Sequence, residues 1–175
     1  MRNYSENTQE LAADLVNGIK CETSALSNLV YMTMSDVKVF DVIGRIKMNA
    51  LYAEVVTTAG GQNTTLQFKY VQASPFVIAA VALGVTSVAN INGALAGMRV
   101  TVIGDAVATA CLRDAVLGIT AYTYPMILGT RTVGTTACVG SIVVDAAGAA
   151  NLTGTTRYVI HYVPLSDGAY VSAVA

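Results

Sequence analysis

Charged side chains are scarce in this sequence. Only 12% of its 175 residues are charged, against about 25% in a typical soluble domain, whereas 54% are apolar. The ten Lys and Arg residues are scattered and the net charge is −1, which argues against binding to a nucleic-acid backbone. With so few charges, we expect other subunits to cover part of the surface. The alternative is a neutral, threonine-rich monomer.

Histidine and cysteine are too few for a zinc site. His161 is the only histidine, and Cys21, Cys111 and Cys138 are far apart, with no Cys-x-x-Cys pair among them. We therefore predict no metal site and no cofactor. Because an odd count argues against a closed disulfide framework, we expect three buried free thiols. One bridge, or a bridge between subunits, is the alternative.

No catalytic constellation is visible. His161 lies in a strand pattern on the side opposite the apolar face, which favours a surface histidine over a member of a nucleophile triad. The acidic residues that could act as general acids, general bases or calcium ligands occur singly, which favours solvated turn residues; they are Asp36, Asp41, Glu54, Asp105, Asp114, Asp145 and Asp167. We therefore predict no catalytic or cofactor-binding residues and no enzymatic activity.

Three weaker motifs have simpler interpretations. The glycines in residues 93–97 lack the Lys-Ser/Thr of a phosphate loop, so we expect them to form turns. Asn63 and Asn151 begin glycosylation triplets that we attribute to chance. The nine tyrosines are dispersed and no tryptophan is present, so we expect the tyrosines at core margins and subunit interfaces rather than in a carbohydrate-binding surface.

Long apolar segments are also missing. The N-terminus is polar and lacks the apolar core of a signal peptide. The most apolar run, residues 76–85, is shorter than the roughly 18 residues that indicate a membrane span. We therefore expect no membrane partner, and a product that stays in the cytoplasm or is assembled inside a cell.

What the sequence does contain is strand periodicity, which is clearest in residues 37–66. From Phe40 to Tyr52 the even positions are almost all apolar, which predicts one dry and one wet face. Gly44 interrupts this run on the dry face and predicts a bend. The turn residues at 57–63 and the alternation in residues 65–70 then predict a hairpin, which Pro75 ends.

Further strands are predicted along the chain. Residues 76–85 are apolar throughout and fit a strand buried on both faces better than a buried helix, although periodicity cannot decide between them. The other strands are predicted at residues 98–104, 119–128 (an edge segment because of Pro125), 138–144 and 157–163, the last with Tyr158, Ile160 and Tyr162 on one face. Residues 105–120 are compatible with a short helix or an irregular excursion. Turns are expected at residues 90–93, 145–153 and 167–168.

The N-terminal region differs from the rest. Leu11, Leu15 and Ile19 recur at helical spacing, and Asn7 with Glu10 resembles a capping box. We predict an arm containing a helix in residues 1–34 and one β domain in residues 35–175. The arm packs either on its own domain or on a neighbouring subunit. The short strands and the Gly- and Thr-rich turns indicate an all-β fold, an antiparallel sandwich or barrel that is jelly-roll-like.

Three stretches resemble small virion proteins of tailed bacteriophages. They are residues 39–46 with 51–59, residues 95–106, and residues 154–171. Their layout of a strand with a Glu-Val-Val-Thr-Thr turn, a Gly-Asp-Ala segment, and a strand ending in Tyr-Val-Pro-Leu-Ser-Asp-Gly-Ala is similar to that of head-associated and decoration-type phage proteins. The resemblance covers about three quarters of the chain. It implies a β-rich, non-enzymatic and repeated component of the virion.

These observations lead to two expectations of function. The favoured one is a capsid decoration or cement protein, present in the virion and assembled in the host cytoplasm. It would bind the major capsid protein as a homo-oligomer, a trimer being one option. The alternative is a neck, tail or fibre-associated recognition module that binds another virion protein or a host glycan.

Overall fold

The computed structural model describes residues 18–31, 36–84, 90–102, 112–113, 126–129, 137–147 and 152–174. Their elements, in chain order, are β1 (Ile19–Glu22), β2 (Leu26–Ser27), α1 (Asn28–Tyr31), β3 (Val37–Ile43), β4 (Ile46–Gly60), β5 (Thr65–Ser74), β6 (Ile78–Ala82), β7 (Arg99–Thr101), β8 (Leu112–Arg113), β9 (Met126–Leu128), β10 (Val139–Ala147), β11 (Thr153–Pro164) and β12 (Tyr170–Ala173).

The strands form two antiparallel sheets. Sheet A has the order β1-β11-β4-β7-β8, with β2 also paired to β11 and β9 also paired to β4. Sheet B has the order β12-β3-β10-β5-β6. Every strand pair described is antiparallel. The prediction of an all-β, antiparallel fold is therefore confirmed.

Both sheets contribute to one apolar core. Phe68 from sheet B contacts Tyr158 from sheet A. Side chains on alternate positions of β5 and β11 are buried, which confirms the predicted inward faces of both strands. The largest fully buried side chains are Phe40, Ile46, Leu51, Leu66, Phe68, Gln72, Ile91, Ile142, Leu152, Tyr158 and Ile160.

The predicted bend at Gly44 marks a crossing between the sheets. β3 ends at Ile43 in sheet B, and β4 begins at Ile46 in sheet A. Gly44 has a φ of 74°, a value that side chains with a Cβ rarely adopt. A Cβ at this position would also lie 2.7 Å from the Cβ of Ala169. Both the backbone angle and the close approach therefore require glycine.

The predicted alternation in β4 holds only up to Met48. Tyr162 pairs with Met48, whereas the preceding His161 pairs with Ala50, so β4 has one extra residue there. This bulge moves the even positions to the opposite face, because strand side chains alternate. Leu51, Ala53 and Val55 therefore enter the core. Tyr52, which was predicted on the core face, lies on the opposite face, where it is nevertheless buried beside His161.

The predicted hairpin of β4 and β5 does not form. β4 pairs with β11, β7 and β9, whereas β5 pairs with β10 and β6 in the other sheet. The turn residues at 61–64 therefore carry the chain between the two layers. Turn chemistry specifies that the chain reverses, but it does not specify which strand becomes the hydrogen-bonded neighbour.

Residues 78–82 form a strand, as expected, but they are not buried on both faces. Four of the five residues of β6 are exposed, which corrects the prediction of an interior strand. Strands at residues 99–101, 126–128 and 139–147 confirm parts of the other predicted segments. β10 continues to Ala147, however, through the first residues of the turn that was predicted at 145–153. Leu112 and Arg113 form a short strand rather than a helix, and most of residues 103–125 lie outside the described part of the chain.

Residues 18–31 pack on the β body. β1 and β2 both pair with β11, and Leu26 belongs to the core. Ile19, which was expected in the helical stripe, lies in β1 instead. The predicted helix before it falls in residues 1–17, outside the described residues, so the helical arm stays a prediction.

Candidate interaction surface

The most unusual surface of the described residues is the apolar edge formed by residues 76–81, here called the β6 surface. Within the described part of the chain, β6 pairs only with β5. Its most exposed large side chains are Phe76 at 58%, Val77 at 86%, Ile78 at 41% and Val81 at 44%. Edge strands usually carry charges that prevent association with other chains, and this one carries none.

Hydrogen bonds to the body of the protein hold the β6 surface in place. The side chain of Gln72, which is 1% exposed, donates from Nε2 to the carbonyl oxygen of Phe76 at 3.1 Å. Its Oε1 accepts a hydrogen bond from the thiol of Cys138 at 3.3 Å. At the other end, the amide of Leu83 donates to the carbonyl oxygen of Phe68 at 2.8 Å. The segment is therefore fixed at both ends by the body of the protein.

Side chains of β6 that face the core side of sheet B remain exposed. Ile78 lies opposite Gln72, and Val81 lies opposite Tyr70. Residues that are directly opposite on paired strands project from the same face, and Gln72 and Tyr70 face the core. Ile78 and Val81 thus point to the core side of sheet B and still remain more than 40% exposed. An apolar face in this position is suited to a partner.

The β6 surface is also electrically neutral. No charged residue occurs between Lys69 and Arg99 in the sequence. Lys69, opposite Ala82, is held by Asp145 at 2.6 Å and by Asp36 at 3.0 Å. These two hydrogen bonds, that of Asp145 first, raise the pKa of Lys69. The nearest positive charge along the sheet is therefore already paired.

One cluster of charged residues lies on the outer face of sheet A. The carboxylate of Glu54 accepts hydrogen bonds from Arg157 at 2.7 Å and from Arg99 at 2.9 Å. Burial tends to raise the pKa of Glu54, but these two guanidinium groups outweigh burial and the pKa is lowered. An ionised carboxylate engaged by two arginines is suited to fixing three strands together rather than to accepting a proton.

His161 belongs to the same outer face, which confirms that it points away from the core. Its ring stacks on that of Tyr52 with the centroids 6.3 Å apart and the planes at 22°. Burial, and then the positive charges of Lys20 and Arg99, lower its pKa. Arg99 also lies over the ring of Tyr52, 4.7 Å from its centroid. These contacts give His161 a packing role.

The described acidic residues lie in several separate places, most of them in ion pairs with lysine or arginine. Asp36 and Asp145 share Lys69, Asp41 pairs with Lys38 at 2.9 Å, and Asp167 lies in the predicted turn. Asp105 and Asp114 lie outside the described residues. Among the residues that are described, no group of three His, Cys, Asp or Glu side chains could hold a metal ion.

Two of the three cysteines can be placed. Cys21 is half-buried and Cys138 is buried, and both are free thiols. Burial raises the pKa of the Cys21 thiol. Cys111 lies outside the described residues, so its state stays a prediction. Sequence reasoning did not anticipate that Cys138 takes part in the polar contacts behind β6.

The remaining motifs lie in turns or in the core, and the fully buried Tyr158 corrects the expectation that the tyrosines lie at core margins. Gly93 and Gly97 have positive φ angles in the connection beside β4, which confirms them as turn residues. Asn63 is exposed and accepts a hydrogen bond from Asn92 at 3.4 Å, whereas Asn151 is outside the described chain. Tyr70, Tyr158 and Tyr162 are buried. None of the described helices is long and apolar enough to cross a membrane.

Comparison with known proteins adds no relative. No protein-family model matches the chain, and neither a curated protein nor a solved structure matches it.

Proposed function

We propose that this protein is a structural component of a tailed-phage virion, a capsid decoration protein that binds the major capsid protein as a homo-oligomer. The β6 surface carries the proposal, because a rigid, neutral and apolar edge is costly to expose and useful in a permanent contact. The low charge of the sequence and its resemblance to decoration-type proteins support the same function. A non-enzymatic role follows from the proposal.

We also propose that the two sheets form a jelly-roll-like sandwich, and the order in which the chain visits them supports this. The chain changes sheet between β3, β4 and β5, and again between β10, β11 and β12. Such alternation between layers is typical of Greek-key and jelly-roll connections. A β body of this kind presents loops and edges for contacts without needing a reactive centre.

The test is binding to capsid shells. Shells assembled from the major capsid protein of the same virus are mixed with the purified protein and sedimented, and intact particles are labelled with an antibody against it. We expect saturable co-sedimentation and label spread over the head. Label confined to the neck, tail or fibre, without binding to shells, would contradict the decoration role and favour the recognition module. A glycan array would then test for a host ligand.

A further inference from the structure

We propose that residues 18–31, here called the strap, detach from β11 as a unit while the two sheets stay folded, and that this opening turns β11 into an exposed strand edge. The strap comprises β1, β2 and α1, and within the described residues its two strands pair with β11 alone. Segments that bury little apolar surface are the ones that open locally. The inference does not depend on the proposed function, since it concerns only the body of the protein.

The strap buries little apolar surface. Among its described side chains, Leu26 is the one large apolar group that is buried, whereas Ile19, Leu29 and Val30 are between 39% and 53% exposed. Cys21 is half-buried. By comparison, β5 buries every second side chain along most of its length. The hydrophobic effect therefore holds the strap far less strongly than it holds the strands of the core.

Polar contacts supply much of the attachment of the strap. The amide of Thr23 donates to the carbonyl oxygen of Tyr158 at 3.0 Å, and the amide of Tyr158 donates to Oγ1 of Thr23 at 3.1 Å. Nδ2 of Asn28 donates to the carbonyl oxygen of Thr153 at 3.0 Å. Water can take the place of each partner when the strap opens, so the net contribution of these hydrogen bonds is modest.

Two buried oxygen atoms at the contact favour opening. Oδ1 of Asn28 and Oγ1 of Thr156 are buried, and neither has a hydrogen-bond partner among the described residues. Asn28 belongs to the strap, and Thr156 lies directly opposite Leu26. Once the strap leaves β11, water reaches both oxygen atoms, and the cost of their missing hydrogen bonds disappears.

Opening leaves one side of β11 without its neighbour. Tyr158 directs both its amide and its carbonyl oxygen at Thr23, so both groups become free. The other side of β11 stays paired with β4 from Ile46 to Gly60. A strand edge with free backbone groups is a template for a strand from another chain. The strap therefore controls access to the edge of β11.

Amide hydrogen exchange of the purified full-length protein, followed residue by residue by NMR, tests the opening. We expect the amides of Thr23 and Tyr158 to exchange together, at least about tenfold faster than the amides in the ladder between β5 and β10. Ile142→Ala on β10 should speed exchange in that ladder by about thirtyfold or more, because it leaves a cavity in the core. It should leave Thr23 and Tyr158 within about twofold of their original rates, because the strap opens without unfolding sheet B.

Two substitutions at the contact should shift the opening in opposite directions. Leu26→Ala should speed exchange at Thr23 and Tyr158 by about thirtyfold or more, since it removes the main apolar contact. Thr156→Val should slow this exchange by at least about fivefold, since it removes a buried hydroxyl that has no partner. Thr155→Val is the matched control, because the hydroxyl of Thr155 is hydrogen-bonded on the exposed face of β11, and it should not slow the exchange. The slowing by Thr156→Val keeps the test valid if Leu26→Ala folds poorly.

Three results would overturn the inference. The first is exchange at Thr23 and Tyr158 that is as slow as exchange in the ladder between β5 and β10. The second is an acceleration by Ile142→Ala that is as large at Thr23 and Tyr158 as it is in that ladder. Either result would mean that the strap separates only when the whole protein unfolds. The third is a Thr156→Val variant whose strap exchanges as fast as that of the unsubstituted protein.

Discussion

The ring of Phe68 on β5 meets the ring of Tyr158 on β11 edge to face, with the centroids 6.3 Å apart and the planes at 83°. The two residues belong to different sheets, and both are fully buried. Edge-to-face aromatic pairs contribute about 0.5–1.5 kcal/mol beyond the burial of their surfaces. This contact therefore joins the two layers at the centre of the core.

Phe68→Ala should strongly destabilise the protein. Removing a buried phenyl ring leaves a cavity and costs about 3–5 kcal/mol, a large part of the roughly 5–15 kcal/mol that stabilises a typical domain. Urea unfolding followed by circular dichroism measures the loss. Tyr170→Ala is the control, because Tyr170 is 49% exposed, and it should change the free energy of unfolding by less than about 1 kcal/mol. Equal losses would mean that the two sheets do not share this core.

Glu54→Gln should destabilise the protein at neutral pH by about 1–3 kcal/mol. The substitution removes the charge that accepts hydrogen bonds from Arg157 and Arg99, and such charge-assisted bonds contribute in this range. Glu22→Gln is the control. The Glu22 side chain is 38% exposed, where an ion pair contributes little, so it should cost less than about 0.5 kcal/mol.

The pH dependence of the Glu54→Gln effect gives a second readout. Because the pKa of Glu54 is lowered in the folded protein, its stabilising effect is present above the ordinary glutamate pKa of about 4.3. The effect is lost as the pH falls through the folded value. Urea midpoints of Glu54→Gln and the unsubstituted protein should therefore converge on acidification. A constant difference at all pH values would contradict the ionic account.

The sequence predicted the faces of individual strands better than it predicted their neighbours. Gly44 interrupts an alternating pattern, and this interruption correctly indicated where the chain bends. The bulge before Ala50 involves no glycine or proline, so nothing in the local pattern indicated that Tyr52 would change face. The partners of β4 and β5 depend on packing between distant segments, which local turn chemistry does not encode.

The sequence did not predict the β6 surface, for a related reason. An unbroken apolar run is compatible with burial inside the chain and with burial against another chain. The pattern of residues 76–85 led to the prediction of an interior strand. Hydrophobicity alone does not show whether the same chain or another chain buries such a segment. The sequence feature that could have indicated this surface was the lack of any charged residue between Lys69 and Arg99. It indicated a neutral region without indicating that its outer edge would be exposed.

His161 should make the protein less stable as the pH falls from neutral to mildly acidic. Its folded pKa is lowered by burial and then by Lys20 and Arg99, so the unfolded chain binds the proton more readily. Stability is therefore lost below the ordinary histidine pKa of about 6.5. His161→Gln should remove this dependence. Since His161 is the only histidine, an NMR titration follows one imidazole, and a pKa at or above 6.5 would contradict the account.

Gly140→Ala should destabilise the protein because a ring occupies the space in front of Gly140. A Cβ there would overlap the hydroxyl oxygen of Tyr70, and it would lie 2.6 and 2.7 Å from Cζ and Cε2 of the same ring. Overpacking of this kind costs about 1–3 kcal/mol. Adding Tyr70→Phe should recover little of the loss, because the ring atoms remain in contact. Ser141→Ala, one position along β10 and pointing to the other face, is the control for urea unfolding and should change stability by less than about 0.5 kcal/mol. Full recovery in the Gly140→Ala, Tyr70→Phe double variant would mean that the hydroxyl group alone, rather than the ring, limits the space beside β10.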